Sequence, residues 1–230
     1  MPVFRLPNEI VFPDPLFAEP DGLLAVGGDL SAPRLLAAYQ QGIFPWYSEG
    51  EPILWWSPAP RLVLLPEKFH LPRRLARTIR KKIFDVRADT AFAEVIASCA
   101  ALRRESGKGT WITDDMQKAY IRLHELGFAH SVECWSEDRL VGGLYGVCLD
   151  RMFFGESMFS RRSDASKVAL AALVQYARQA GIRAIDCQMT TAHLLRFGSR
   201  EMSRHEFDEL LEQFIQVIEP QARWRLSENT

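Results

Sequence analysis

Residues 130–155 read HSVECWSEDRLVGGLYGVCLDRMFFG, and this stretch decides the fold. His130 to Trp135, Leu140 to Leu149 and Met152 to Gly155 read as three strands, joined by short turns at Ser136-Glu137-Asp138 and Asp150-Arg151. Strands joined so tightly pair antiparallel. Working outward, Ala165 to Ala180 has helical spacing and stops at Gly181. Ile182 to Gln188 reads as a further strand and His205 to Ile218 as a further helix. Upstream, Phe92 to Leu102 and Asp114 to Leu126 read as helices, the second opened by Thr113 or Asp114. Arg61 to Leu65 reads as a short strand. The plan is α+β with a mostly antiparallel sheet.

Residues 1–62 differ in character. They are rich in Pro, Gly and Trp and hold one helix, capped by Ser31, with Pro33 in its first turn and Gly42 after its end. They form an irregular N-terminal lobe, followed by a second domain over residues 63–230. The chain has 230 residues, 47% of them apolar and 25% charged, which is globular composition and excludes disorder. No apolar run reaches the roughly 18 residues of a membrane span. The first residues lack the basic and apolar regions of a secretory signal. Cys99, Cys134, Cys148 and Cys187 lie far apart, as buried thiols of a reducing compartment do. A cytoplasmic monomer is expected.

The net charge of −1 conceals an asymmetry. Residues 61–110 carry twelve basic and five acidic residues, while residues 1–60 carry two and seven. Lys68 to Arg87 is the densest piece, with Asp85 its only interior acid besides eight basic residues. Leu75, Ile79 and Ile83 fall at i, i+4 and i+8 of a helix over 72–84, and Arg73, Arg74, Arg77, Arg80 and Lys81 fall opposite, with Lys82 near the stripe's edge. Such a face is either merely solvated or grips a phosphate backbone; a membrane-surface helix fits less well, since the stripe is narrow and has no aromatic beyond Phe84.

Standard catalytic motifs are absent. Gly155-Glu156-Ser157-Met158-Phe159 ends in Phe and is no nucleophile elbow. There is no HExxH, Walker A or GxGxxG, and the five histidines show no ligand spacing. Two stretches carry chemistry instead. Strand alternation puts Asp186 and Gln188 on one face, where the carboxylate can accept from the Gln188 amide and orient it. Glu156 sits alone in apolar, aromatic company, which suits cation recognition or a raised pKa. Both also have a bland reading, as a satisfied pair at a sheet edge and an exposed strand end. Trp46, Tyr47, Trp55, Trp56 and Trp111 lie in loop-like sequence and are either pinned on the core or used for stacking.

Together these stretches resemble the leucyl/phenylalanyl-tRNA–protein transferase family of the bacterial N-degron pathway. The resemblance is carried in order by FPDP (Phe12 to Pro15), GLLAVGGDL (Gly22 to Leu30), RLLxAYxxGIFPW (Arg34 to Trp46) and LWWSPxPR (Leu54 to Arg61). It continues through TWIT at Trp111, AHSVExW (Ala129 to Trp135), LVGGLYG (Leu140 to Gly146), FFGESMFS (Phe153 to Ser160), ASK (Ala165 to Lys167) and IDCQ (Ile185 to Gln188). Asp150-Arg151 and His193 to Ser199 depart from the family pattern.

The resemblance implies a GNAT-like, acetyltransferase-type second domain. It also implies transfer of Leu, Phe and less well Met from aminoacyl-tRNA to a protein's N-terminal Arg or Lys, with no metal or organic cofactor. It implies that Leu144, Met158, Leu173 and Ile185 line the side-chain pocket, with Gly155 leaving room. The family often has Met and Phe at positions 144 and 173. Trp46 and Trp111 would stack the terminal adenosine. Glu156 would pair with the acceptor's basic end, and Gln188, set by Asp186, would orient the amine or relay its proton. Arg77, Arg80, Lys81 and Lys82 would grip tRNA phosphates. A CoA-dependent acetyltransferase would need a glycine-bearing pyrophosphate loop, and Arg161 to Ser166 has no glycine. A binding module without catalysis is the remaining rival.

Overall fold

Three largely buried strands over residues 129–160 build the centre of a seven-stranded sheet. The structure, a computed structural model, describes residues 3–105, 107 and 110–226. In chain order its elements are β1 (Phe4–Leu6), β2 (Leu23–Gly27), α1 (Ala32–Gln40), β3 (Phe44–Pro45), β4 (Leu54–Trp56), β5 (Arg61–Leu64), α2 (Arg73–Arg80) and β6 (Asp85–Ala88). Then come α3 (Phe92–Glu105), α4 (Asp114–Glu125), β7 (Ala129–Ser136), β8 (Arg139–Leu149), β9 (Met152–Ser160) and α5 (Ala165–Ala180). The last are β10 (Ala184–Gln188), α6 (Ala192–Leu195), β11 (Arg200–Met202) and α7 (Arg204–Phe214). No described helix is long and apolar enough to cross a membrane.

The large sheet runs β11-β5-β10-β9-β8-β7-β6. Every pairing is antiparallel except β9 with β10, which α5 connects. The mostly antiparallel α+β plan is therefore as the sequence reads. Side-chain alternation gives the sheet two buried faces. Val132, Leu144, Cys148 and Phe153 face α5 and α2. Tyr145, Val147, Leu149 and Phe154 face the other way, against α1, α3, α4 and α7. A smaller sheet, β1-β2-β4-β3, forms within the N-terminal lobe, where strands of two to five residues between prolines leave too little alternation to read. Its buried Trp55 donates through Nε1 to the Gly27 carbonyl (2.8 Å). One apolar cluster runs from Leu24 and Trp55 through Tyr39 to Phe154, so the lobe shares a core with the large sheet.

Two helices are shorter than expected. The basic helix ends at Arg80, not at residue 84, because Lys82 adopts a left-handed conformation (φ 47°) that turns the chain into β6. Of the expected stripe, Leu75 is buried, whereas Ile83 lies past that turn and is exposed. The last helix ends at Phe214; beyond it the chain runs back over the domain, where Trp224 N donates to Asp89 Oδ2 (2.7 Å) and its ring stacks on His130 at 4.2 Å.

Two close approaches explain glycines in β8. A Cβ on Gly142 would lie 2.4 Å from Ala165 Cβ at the start of α5. A Cβ on Gly146 would lie 2.1 Å from the Phe154 carbonyl oxygen. Gly146→Ala is expected to cost about 1–3 kcal/mol by overpacking. It should lower the urea midpoint at unchanged slope; an unchanged midpoint would show that the ladder can give way there.

Candidate functional site

The parallel ladder between β9 and β10 stops at Phe154↔Asp186, yet β9 continues to Ser160 and β10 to Gln188. Each strand is irregular just beyond the stop. Across β8 and β9, Tyr145 pairs with Ser157 and Gly146 with Gly155, which leaves Glu156 without a partner. Across β10 and β5, Asp186 pairs with Val63 and Gln188 with Leu62, which leaves Cys187 without one. Such bulges bend a strand and re-aim its side chains. Two bulges side by side open a gap through the sheet.

A cavity of about 400 Å³ occupies the gap. Leu144, Phe153, Met158, Leu170, Leu173 and Ile185 line its α5 side, and Phe44, Trp46, Arg103, Trp111 and Tyr145 line the opposite side. Gly155, Glu156, Asp186 and Gln188 lie between. All ten residues singled out for catalysis or substrate binding thus border one space. A Cβ on Gly155 would meet only the Asp186 carbonyl oxygen at 3.4 Å and the Phe153 ring at 3.9 Å, so its missing side chain widens the passage. Trp46 is 36% exposed at the rim, where its ring packs on Trp56 at 5.5 Å. The Arg103 guanidinium lies 5.8 Å from the Trp111 ring centre. Arg77, Arg80, Lys81 and Lys82 do not border the cavity; they are exposed on α2 and the turn after it, and α2 packs against α5.

Asp186 has no exposed surface. Its Oδ1 accepts from Arg61 Nε (2.9 Å) and its Oδ2 from Arg61 Nη2 (2.7 Å). The expected contact with Gln188 takes a different form. Asp186 Oδ1 accepts from the backbone N of Gln188 (2.8 Å), not from its side chain. The bulge breaks strand alternation there and Gln188 is left-handed (φ 61°), so its side chain turns to Glu156 instead. Its Nε2 donates to Glu156 Oε1 (2.9 Å). Tyr120 donates to Glu156 Oε2 (3.2 Å), and the Tyr39 hydroxyl hydrogen-bonds that of Tyr120. Glu156 is 7% exposed. Burial raises its carboxyl from 4.5 to about 7, opposed by hydrogen bonds from the tyrosines and Gln188 and aided by the charge on Asp186.

Sequence reading left three members of this array unassigned. Arg61 closes the LWWSPxPR stretch, Tyr39 lies within RLLxAYxxGIFPW, and Tyr120 lies on a helix outside every quoted motif. An arginine opening the apolar run Arg61-Leu62-Val63-Leu64-Leu65 was the available signal, since a strand so apolar is buried and its charge needs a partner. Among the described residues no group of three or more His, Cys, Asp or Glu side chains could hold a metal ion.

Gln in place of Glu removes the titration while keeping the shape. A carboxyl raised in the folded state is most stabilising below its unfolded value, and that contribution is lost as pH rises through the folded value. Relative to the parent, Glu156→Gln is expected to gain about 3 kcal/mol of stability between roughly pH 4.5 and 8. A stability difference flat across that range in urea titrations would show that Glu156 titrates normally.

A family model described as leucyl/phenylalanyl-tRNA protein transferase matches residues 63–212, and one described as that transferase's N-terminal domain matches residues 28–59. Similar proteins named leucyl/phenylalanyl-tRNA–protein transferase occur in several bacteria. That of Desulfatibacillum aliphaticivorans is 57% identical over 230 residues, covering 100% of this chain and 99% of its own. That of Syntrophobacter fumaroxidans is 58% identical over 224 residues, covering 97% and 96%. Among solved structures, FemX is similar at 11% identity with a TM-score of 0.47, over 79% of this chain and 71% of its own. An aminoglycoside acetyltransferase from a soil metagenome is similar at 16% identity with a TM-score of 0.40, over 51% and 86%.

Proposed function

The chain belongs to the leucyl/phenylalanyl-tRNA protein transferase family, an aminoacyltransferase family, and we propose that it moves Leu or Phe, and less well Met, from tRNA onto a protein's N-terminal Arg or Lys. Proteins so tagged would enter the N-degron pathway, in the cytoplasm where charged tRNA is available. A single observation carries the reading: one cavity passes through the sheet, apolar on one side, aromatic at the other rim, with a carboxyl near neutrality between.

Each part of the aminoacyl ester has a matching wall. The Leu or Phe side chain enters among Leu144, Met158, Leu173 and Ile185, where no polar group asks for a partner. The terminal adenosine stacks at Trp46 and Trp111. The ester carbonyl then lies in the passage beside Gly155. The acceptor's α-amine attacks that carbon, the ester C–O bond breaks and the ribose hydroxyl leaves with a proton. Gln188 donates to Glu156 through Nε2, which leaves its amide oxygen to accept from the amine. Glu156 carries the negative charge that the acceptor's cationic end seeks, and a carboxyl near pH 7 is a better proton acceptor than an amide. The ester is already activated, so positioning supplies much of the rate. The tRNA body lies along α2, where Arg77, Arg80, Lys81 and Lys82 meet phosphates without reading sequence.

Leucyl-tRNA mixed with a peptide bearing N-terminal Arg should yield that peptide plus one leucine by mass spectrometry, and an N-terminal Ala peptide should stay unchanged. Leucine on both peptides would remove the basic-end assignment, and leucine on neither, with tRNA still bound, would leave a binding module. Gly155→Ala should fold normally yet lose roughly a hundredfold in kcat/KM by filling the passage. Replacing Arg77 and Arg80 by Glu should raise the KM for aminoacyl-tRNA about tenfold and weaken its salt dependence; an unchanged KM would move the tRNA off α2.

A further inference from the structure

Between the N-terminal lobe, β5, β10 and α7 lies a guanidinium that does not border the cavity. Arg61 is 1% exposed. Its carbon Cζ lies 4.9 Å from the Phe44 ring centre and 4.7 Å from that of Phe207. Its Nε and Nη2 reach the two oxygens of Asp186, and Nη1 has no hydrogen-bond partner. Three neighbours thus hold this side chain: one carboxylate and two aromatic rings.

Those neighbours lead to both halves of the site. Asp186 Oδ1 holds the backbone N of Gln188 and so the left-handed turn at that residue, which a side chain rarely adopts without support. The turn aims the Gln188 amide at Glu156. Phe44 borders the cavity and lies two residues before Trp46 on the aromatic rim. Phe207 comes from α7 and does not border the cavity.

We propose that Arg61 is a positioning residue for aminoacyl transfer, fixing Asp186 and Gln188 relative to the Phe44–Trp46 wall so that amine and ester meet. The inference rests on the transferase reading above and adds a residue to it. It also explains why arginine stands here. A planar fork binds both carboxylate oxygens by parallel hydrogen bonds while presenting flat faces to two rings, and a lysine ammonium, a compact point charge, has neither that fork nor a flat face. Arg61 touches no reacting atom and acts wholly through Asp186 and Phe44.

Leucyl transfer to the N-terminal Arg peptide is measured for the parent, R61K, D186N, the double variant R61K/D186N, and F207L. R61K keeps the charge and loses the fork. Its kcat should fall at least tenfold while both KM values change less than about threefold. Because Arg61 acts through Asp186, the double variant should be no slower than D186N within about twofold, whereas independent roles would multiply. F207L removes one face of the clamp from outside the cavity and should lower kcat in the same sense, which keeps the test open where R61K does not fold. An R61K kcat near the parent's, or multiplied losses in the double variant, overturns the role of Arg61 alone. A fully active D186N overturns the Asp186–Gln188 array itself, and no transfer by the parent overturns the transferase reading.

Discussion

Asp186 is buried completely, and the fork of Arg61 is the condition for putting a carboxylate there. Taking two charges out of water costs several kcal/mol for each ion, and only close, fully directed hydrogen bonds offset that cost. Removing one partner from such a pair typically costs about 3–5 kcal/mol, because the other is left alone. The pair bridges neighbouring antiparallel strands, β5 and β10. It fixes where β10 ends, how Gln188 leaves it and which way that amide points. The aromatic wall at Phe44 packs on the other side of the same guanidinium. Lobe, sheet and last helix therefore all touch this one guanidinium.

The second constraint is the interruption of the sheet. A continuous ladder between β9 and β10 would fill the passage with backbone. Bulges at Glu156 and Cys187 end the ladder in both strands at the same level, and the cavity forms in the space they release. Glu156 is turned by its bulge toward Tyr39 and Tyr120, into a region poor in water, and this is why its carboxyl sits near neutrality. Backbone irregularity and proton affinity thus have one cause. The apolar side of the cavity depends on the same bulge: Phe153 and Met158 lie five positions apart, and the extra residue at Glu156 puts both on the α5 face, opposite Cys148 and Leu144.

Much of this was legible in the sequence. Residues 130–160 read as apolar strands with tight turns because the sheet is buried on both faces, and Gly181 marks the end of α5 where a left-handed residue is required (φ 80°). The lining of the cavity followed from ordered motifs, not from periodicity. Other features left no local trace. Arg61 and Asp186 are 125 positions apart, and nothing near either names the other. Bulges shift register without changing composition, so strand alternation wrongly set the Gln188 side chain beside Asp186. Lys82 and Gln188 take left-handed conformations that their residue types do not announce, and the first of these cut short a helix whose spacing continued. Strands as short as Phe44–Pro45 exist only because partners hold them.

The position of β5 also orders events in time. It pairs with β10 and β11 and with no strand made before it. At a ribosomal rate of about 5–20 residues per second, Leu64 waits roughly 6–25 seconds for Ala184 to be made. During that interval Leu62, Val63 and Leu64 form an unpaired apolar edge of the kind that recruits other chains. Arg61 is the one charge in that strand, and until Asp186 is made it has no buried partner to leave water for. The residue that later holds Asp186 thus also carries the single charge of that waiting edge.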